Sequence, residues 1–117
     1  MNYFLVFIGG GIGSLIRFVV SLSIQKTSIT LPIATFISNI VSCLIFGGLI
    51  YFYKEKNLIP ENYKYLILVG ICGGLSTFST FSFETFELIK QEMIAWAVLN
   101  IVLSCAICIG IFYVFSK

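Results

Sequence analysis

The densest polar signal in the chain is a run of hydroxyls and aromatic rings, GICGGLSTFSTFSFE, at residues 70–84. Ser76, Thr77, Ser79, Thr80 and Ser82 supply hydroxyls in quick succession, threaded with Phe78, Phe81 and Phe83. Phe78 and Phe81 are three apart, so on a helix they share a face. An aromatic ring is negative on its face and positive at its edge. Elsewhere Asn39 brings an amide that can donate two hydrogen bonds. Arg17 is either an interfacial anchor or a fixed charge that draws anions into a vestibule. Asn100 and Ser104, four apart, place two more donors on one helix face, with Cys108 a turn further on. All the acidic residues are glutamate, and there is no histidine. Catalysis by His or Asp, and metal sites built on them, are excluded.

Four cysteines remain: Cys43, Cys72, Cys105 and Cys108. The last two form a C-x-x-C, a spacing that redox enzymes use at an accessible helix start where the thiolate is stabilised. Here it falls inside an apolar stretch, so the cysteines read as small packing residues rather than a redox pair or a disulfide framework. Gly9 and Gly11 echo a dinucleotide loop, but no strand precedes them and no βαβ unit surrounds them.

These residues must be positioned by membrane spans. Of 117 residues, 59% are hydrophobic and 10% charged, against about 45–50% and 25% in soluble domains. Mean hydropathy is +1.06. A net charge of +2 is too small for a nucleic-acid surface. A spanning helix needs roughly 20 apolar residues, and the charges leave four such stretches, about 3–23, 31–53, 65–83 and 93–115. Only the first holds a charge, Arg17. The expected fold is an all-α, single-domain membrane protein of four transmembrane helices. Connectors fall at 24–30, 54–64 and 84–92; Glu84 and Glu87 are expected to be hydrated. No basic residue precedes the first span and no A-x-A site follows it, so it is expected to be retained. Lys54, Lys56, Lys64 and Lys117 lie on the side of the termini, against Lys26, Lys90 and Arg17 on the other. That is a feeble orientation bias.

Polar groups in a bilayer need partners, which makes each a functional candidate. Gly9 and Gly13 form a small-xxx-small face for close helix approach. Ser38 and Ser42 can bond their own backbone. Gly70, Gly73 and Gly74 loosen the third span, which is expected to break near residues 73–78; irregular backbone at that depth must be buried in protein or line a cavity. The spans hold donors and no carboxylate, which disfavours a cation or proton path and favours a small anion.

Three segments together resemble the Fluc (CrcB) family of small fluoride channels, over essentially the whole chain. GGLSTFSTFSFE at 73–84 is similar to that family's G-G-x-T-T-F-S-T-F signature. GGGIGSLIRF at 9–18 resembles its G-G-x-x-G-x-x-x-R-F, and Asn39 precedes a glycine pair at Gly47 and Gly48. The resemblance implies a passive fluoride channel that relieves fluoride toxicity, working as an antiparallel dual-topology homodimer with two pores in a prokaryotic inner membrane. It implies that Phe78 and Phe81 are the pore rings, Asn39 the pore asparagine, and Ser79, Thr80 and Ser104 the polar track. Arg17 and Glu84 would lie near the vestibule and ion route. The carbonyls of Gly73 and Ser76 would hold a structural sodium ion at the dimer centre. The chain departs from the pattern at Ser76 (usually threonine), Asn100 (often tyrosine), Cys108 (often serine) and Ser42 (often glycine).

Competing readings are weaker on the residues. A proton-coupled small multidrug transporter is also a four-span protein of this length, but its coupling needs a carboxylate in the first span. A membrane thiol oxidoreductase would rest on Cys105 and Cys108 alone. A structural protein without transport leaves the hydroxyl cluster unexplained.

Overall fold

The computed structural model describes residues 2–25, 32–56 and 60–116. Helix α1 spans Asn2–Gln25 and α2 spans Ile33–Lys56. The third span is built in two halves. The first, α3, starts with the turn Glu61–Lys64, continues as a π-helix over Tyr65–Cys72 and ends with the turn Gly73–Leu75. Ser76 and Thr77 are extended, with φ/ψ of −84°/152° and −152°/122°. The second half, α4, covers Phe78–Lys90, and α5 covers Ile94–Phe115. Among the described residues four segments are long and apolar enough to cross a membrane: Asn2–Ile24, Ile33–Phe52, Asn62–Lys90 and Ile94–Phe115.

The third span runs further than its apolar stretch suggests. The α4 helix continues past Phe83 through Glu84 and Glu87 to Lys90, leaving only Gln91, Glu92 and Met93 as a turn before α5. That turn closes through Gln91 N–H to the Glu87 carbonyl (3.0 Å) and Met93 N–H to the Leu88 carbonyl (2.8 Å). Segments 26–31 and 57–59, with Lys26 and Lys117, lie outside the described residues.

Small residues set the packing. A Cβ on Gly9 would overlap the Leu66 carbonyl oxygen, and one on Gly13 the Ile71 carbonyl oxygen, so α1 lies backbone-to-backbone along α3. This is the close approach that small-xxx-small spacing permits in lipid. On the other side α2 meets α5, with the Phe46 and Phe112 rings edge-to-face at 5.4 Å and 85°. The buried side chains are Leu68, Cys72, Leu75, Leu88 and Ala97, together with Thr35, Ser38, Ser42, Thr85 and Ser104. Large apolar residues such as Phe7, Leu15, Ile109 and Val114 face outward. In hydrocarbon that distribution is the expected one: apolar groups gain little by leaving lipid, whereas hydroxyls must find partners inside.

Candidate functional site

The break in the third span organises the site. In an unbroken helix the Thr77 amide would bond the Gly73 carbonyl, and the Thr80 amide the Ser76 carbonyl. Instead Thr77 N–H donates to Asn39 Oδ1 at 3.0 Å, and Thr80 N–H donates to Thr77 Oγ1 at 3.2 Å, an N-cap for α4. The Gly73 and Ser76 carbonyls are thereby left without their helical donors. The Gly74 carbonyl accepts from Arg17 Nε at 3.2 Å. Upstream, the Cys72 carbonyl accepts from Ser42 Oγ (2.9 Å), Ser76 Oγ (2.8 Å) and Ser76 N–H (3.0 Å). The Cys72 thiol returns a bond to the Ser42 carbonyl at 3.5 Å. Ser42 therefore clamps α2 to α3 rather than bonding its own helix.

A groove of about 330 Å³ opens beside the break, lined by Asn39, Ser76, Thr77, Phe78, Phe81, Ser104 and, further along, Cys43, Cys105, Cys108 and Ile109. A backbone N–H can only donate, so its bond to Asn39 fixes the amide's orientation: oxygen toward Thr77, NH2 left as donor beside the groove. The Phe78 and Phe81 rings stand 6.0 Å apart, tilted by 40°. Phe78 is 79% exposed in the single chain. Among the described residues no carboxylate lines this groove.

A chain of hydrogen bonds backs the second ring. Ser104 Oγ donates to Asn100 Oδ1 at 3.4 Å, Asn100 Nδ2 donates to Thr85 Oγ1 at 3.0 Å, and Thr85 Oγ1 donates to the Phe81 carbonyl at 2.8 Å. Asn100 thus braces α5 against α4. Thr85 is buried and was not among the residues that sequence reasoning singled out. Its signal was its spacing: four after Phe81, it shares that ring's helix face. Cys43, read from the sequence as a packing residue, lines the groove one turn beyond Asn39.

The remaining candidates gather elsewhere. Arg17, Thr80 and Glu84 line a second cavity of about 200 Å³ with Ser14, Phe18, Ser21, Ala34 and Thr35. Glu84, expected to be hydrated, is half-buried, and its Oε1 is sealed from solvent without a hydrogen-bond partner. The correction has a plain cause: α4 extends beyond the apolar stretch and turns Glu84 inward toward the first two spans. Arg17 is tied to the backbone of the break through Nε, which neither expectation for it included. Ser79 is exposed, its hydroxyl 3.3 Å from Thr77 Oγ1, and it does not line the ring groove. Gly73 is exposed, with open space where a Cβ would be. All four cysteines are free thiols.

Hard cations are held by several oxygens at once. Two freed carbonyls at an exposed glycine turn suit such an ion in donor type, but one chain supplies too few. The set becomes adequate only if a second copy contributes the same pair.

Residues 4–115 match the family model described as CrcB-like protein, Camphor Resistance (CrcB). The chain is 46% identical to "Fluoride-specific ion channel FluC 1" of Yersinia pestis over 101 residues, 86% of this chain and 80% of the relative. It is 41% identical to "Fluoride-specific ion channel FluC" of Azobacteroides pseudotrichonymphae over 108 residues, 88% of this chain and 86% of the relative. It is 38% identical to the Klebsiella pneumoniae protein of that name over 117 residues, 96% of this chain and 91% of the relative.

Proposed function

The chain belongs to the CrcB family, and from that premise we propose that it is a passive fluoride channel, not an enzyme, acting in a prokaryotic cell membrane. The observation that carries the reading is the placement of Asn39, Phe78 and Phe81 on one groove beside a broken span. Fluoride holds its water tightly, so a path through lipid must replace that water with closely spaced donors. The Asn39 NH2 supplies one, and the ring edges supply diffuse positive potential. Neither is a full charge, so the ion is bound weakly enough to leave, which conduction requires. With no carboxylate among the described residues of the groove, the strongest barrier to an anion is absent there. Hydrogen fluoride enters cells neutral and ionises in a more alkaline cytoplasm. A passive exit driven by the inside-negative potential then detoxifies.

The working unit in this reading is an antiparallel homodimer with two pores. It is supported by the exposed Phe78 ring, which needs a second wall, and by the weak charge bias of the connectors. A structural sodium ion at the Gly73 and Ser76 carbonyls of both copies belongs to the same reading. When bound, it supplies positive charge to carbonyl oxygens that lack N–H partners. Arg17, Thr80 and Glu84 in the second cavity, with Ser104 in the groove, complete the route to and past the rings.

Purified protein in liposomes should release fluoride, but not chloride, when potassium permeability is supplied to balance charge. Equal release of both ions, or no fluoride release, refutes the channel reading. A C-terminal tag should label from both sides of the membrane; one-sided labelling refutes the antiparallel pair.

A further inference from the structure

The groove carries chemistry that fluoride conduction does not use. Cys43 on α2 is one turn beyond Asn39, and Cys108 on α5 is one turn beyond Ser104. Both line the same groove, one from each of the two helices. The other two cysteines are placed differently. Cys72 is buried, with its thiol donated to the Ser42 carbonyl, and Cys105 is exposed.

We propose that Cys43 and Cys108 form a two-coordinate site for a soft, thiol-seeking cation of the copper(I), silver(I) or mercury(II) type, and that filling it obstructs the groove. Sulfur ligands select soft metals. Among the described residues no group of three or more metal-ligating side chains exists, so a four-ligand zinc site has no ligands to draw on. Ions content with two sulfurs in line need only this pair. Both thiols line one groove, whose volume of about 330 Å³ leaves space for their side chains to close around a metal. Once one sulfur holds the metal, the second is present at a high effective concentration, so the bridge outlasts any singly bonded adduct.

With mercuric chloride the step is a ligand exchange. Two S–H and two Hg–Cl bonds break, two Hg–S bonds form, and two protons and two chloride ions leave. No electrons are transferred. The probe is neutral and so is the bridged product, which suits an apolar site where an isolated charge would be costly.

The test treats purified full-length protein with mercuric chloride, strips it with excess glutathione, and measures retained mercury by native mass spectrometry. The wild type should keep one mercury per chain with the loss of two protons. Cys43→Ala and Cys108→Ala should each release it, and Cys105→Ala should keep it. Cys43→Ser and Cys108→Ser replace either alanine variant that does not elute like the wild type. The obstruction rests on the channel reading; retention does not. In liposomes mercuric chloride should remove most wild-type fluoride efflux and leave that of Cys43→Ala and Cys108→Ala at their own untreated rates. Loss of mercury from the wild type, or its retention by either single variant, overturns the site. Loss of retention in Cys105→Ala overturns the pairing. Retention with unimpaired efflux overturns the obstruction. Absence of efflux before treatment would refute the channel reading while retention still decides the site.

Discussion

Asn39 does two jobs that a single substitution can separate. Its oxygen accepts the Thr77 amide at 3.0 Å, and its NH2 is left as a donor beside the ring groove. Asn39→Asp preserves an acceptor at the same reach, and bonds to an ionised acceptor are roughly twice as strong as neutral ones. The break is therefore held and the fold kept. The donor, however, is gone, and a negative charge stands where the anion must pass. Two unit charges roughly 4 Å apart repel by about 4 kcal/mol at an effective dielectric near 20. At ~1.4 kcal/mol per factor of ten, that is close to a thousand-fold loss of flux. Fluoride efflux from liposomes at neutral pH should fall by that order while elution and melting temperature match the wild type.

Acidification provides the internal control. A protonated carboxyl offers its carbonyl oxygen to Thr77 and its O–H to the groove, the same pattern as the amide. Efflux through Asn39→Asp should recover as pH falls, measured against empty liposomes to subtract permeation of hydrogen fluoride. Asn39→Leu is the complementary case. It fills similar space but strands the Thr77 N–H, at a cost of about 1–3 kcal/mol, so both melting temperature and flux should drop. An Asn39→Asp protein that conducts like the wild type at neutral pH refutes the donor role. An Asn39→Leu protein as stable as the wild type refutes the idea that this amide holds the break.

Phe78→Ile and Phe81→Ile should each nearly abolish fluoride efflux in a protein that still elutes as the wild type, because isoleucine has bulk but no positive edge; Phe83→Leu, at an outward-facing ring, should conduct normally. Normal efflux through the double variant at Phe78 and Phe81 would discard the ring-edge mechanism. Gly13→Ala should destabilise by about 1–3 kcal/mol, since the new methyl would overlap the Ile71 carbonyl oxygen and lie 2.8 Å from the Leu75 nitrogen. Gly11→Ala, with nothing within 4 Å of the added carbon, should melt like the wild type in the same assay. Asn100→Leu removes the brace between Ser104 and Thr85 and should lower stability by about 1–2 kcal/mol while fluoride remains preferred over chloride in efflux.

Much of this architecture is legible in the sequence because lipid enforces simple rules. Runs of apolar residues without charge locate the spans, and Gly9 and Gly13 announce the face where α1 meets α3. The glycine-rich stretch at 70–74 and the hydroxyls after it place the break within a few residues. What the sequence withholds is which partner each freed backbone group takes. Nothing in the letters pairs Thr77 with Asn39, 38 positions earlier, or Ser42 with the Cys72 carbonyl. These bonds depend on the rotation of α2 against α3, which is set by the packing of all the spans at once. Glu84 misleads for a related reason. A carboxylate after an apolar run resembles a helix leaving the membrane, yet a cavity shared with Thr35 and Arg17 lets α4 continue.

Breaking a helix inside a membrane releases two kinds of group, and the chain deals with them on opposite sides. Freed amides need acceptors, and these come from neutral oxygens: Asn39 for Thr77, and the Thr77 hydroxyl for Thr80. Had a carboxylate capped these amides, it would have bound them more tightly, but it would also have closed the neighbouring groove to an anion. Freed carbonyls need donors or cations, and one of them, Gly74, takes the Arg17 guanidinium. That bond uses Nε alone, so the rest of the guanidinium still brings positive charge to the cavity it shares with Glu84. The amide that caps the break thus keeps its own donors for the groove, and the cation that caps it keeps most of its charge for the cavity behind. Both capping side chains can serve the backbone and an ion together because each has more hydrogen-bonding groups than the backbone consumes.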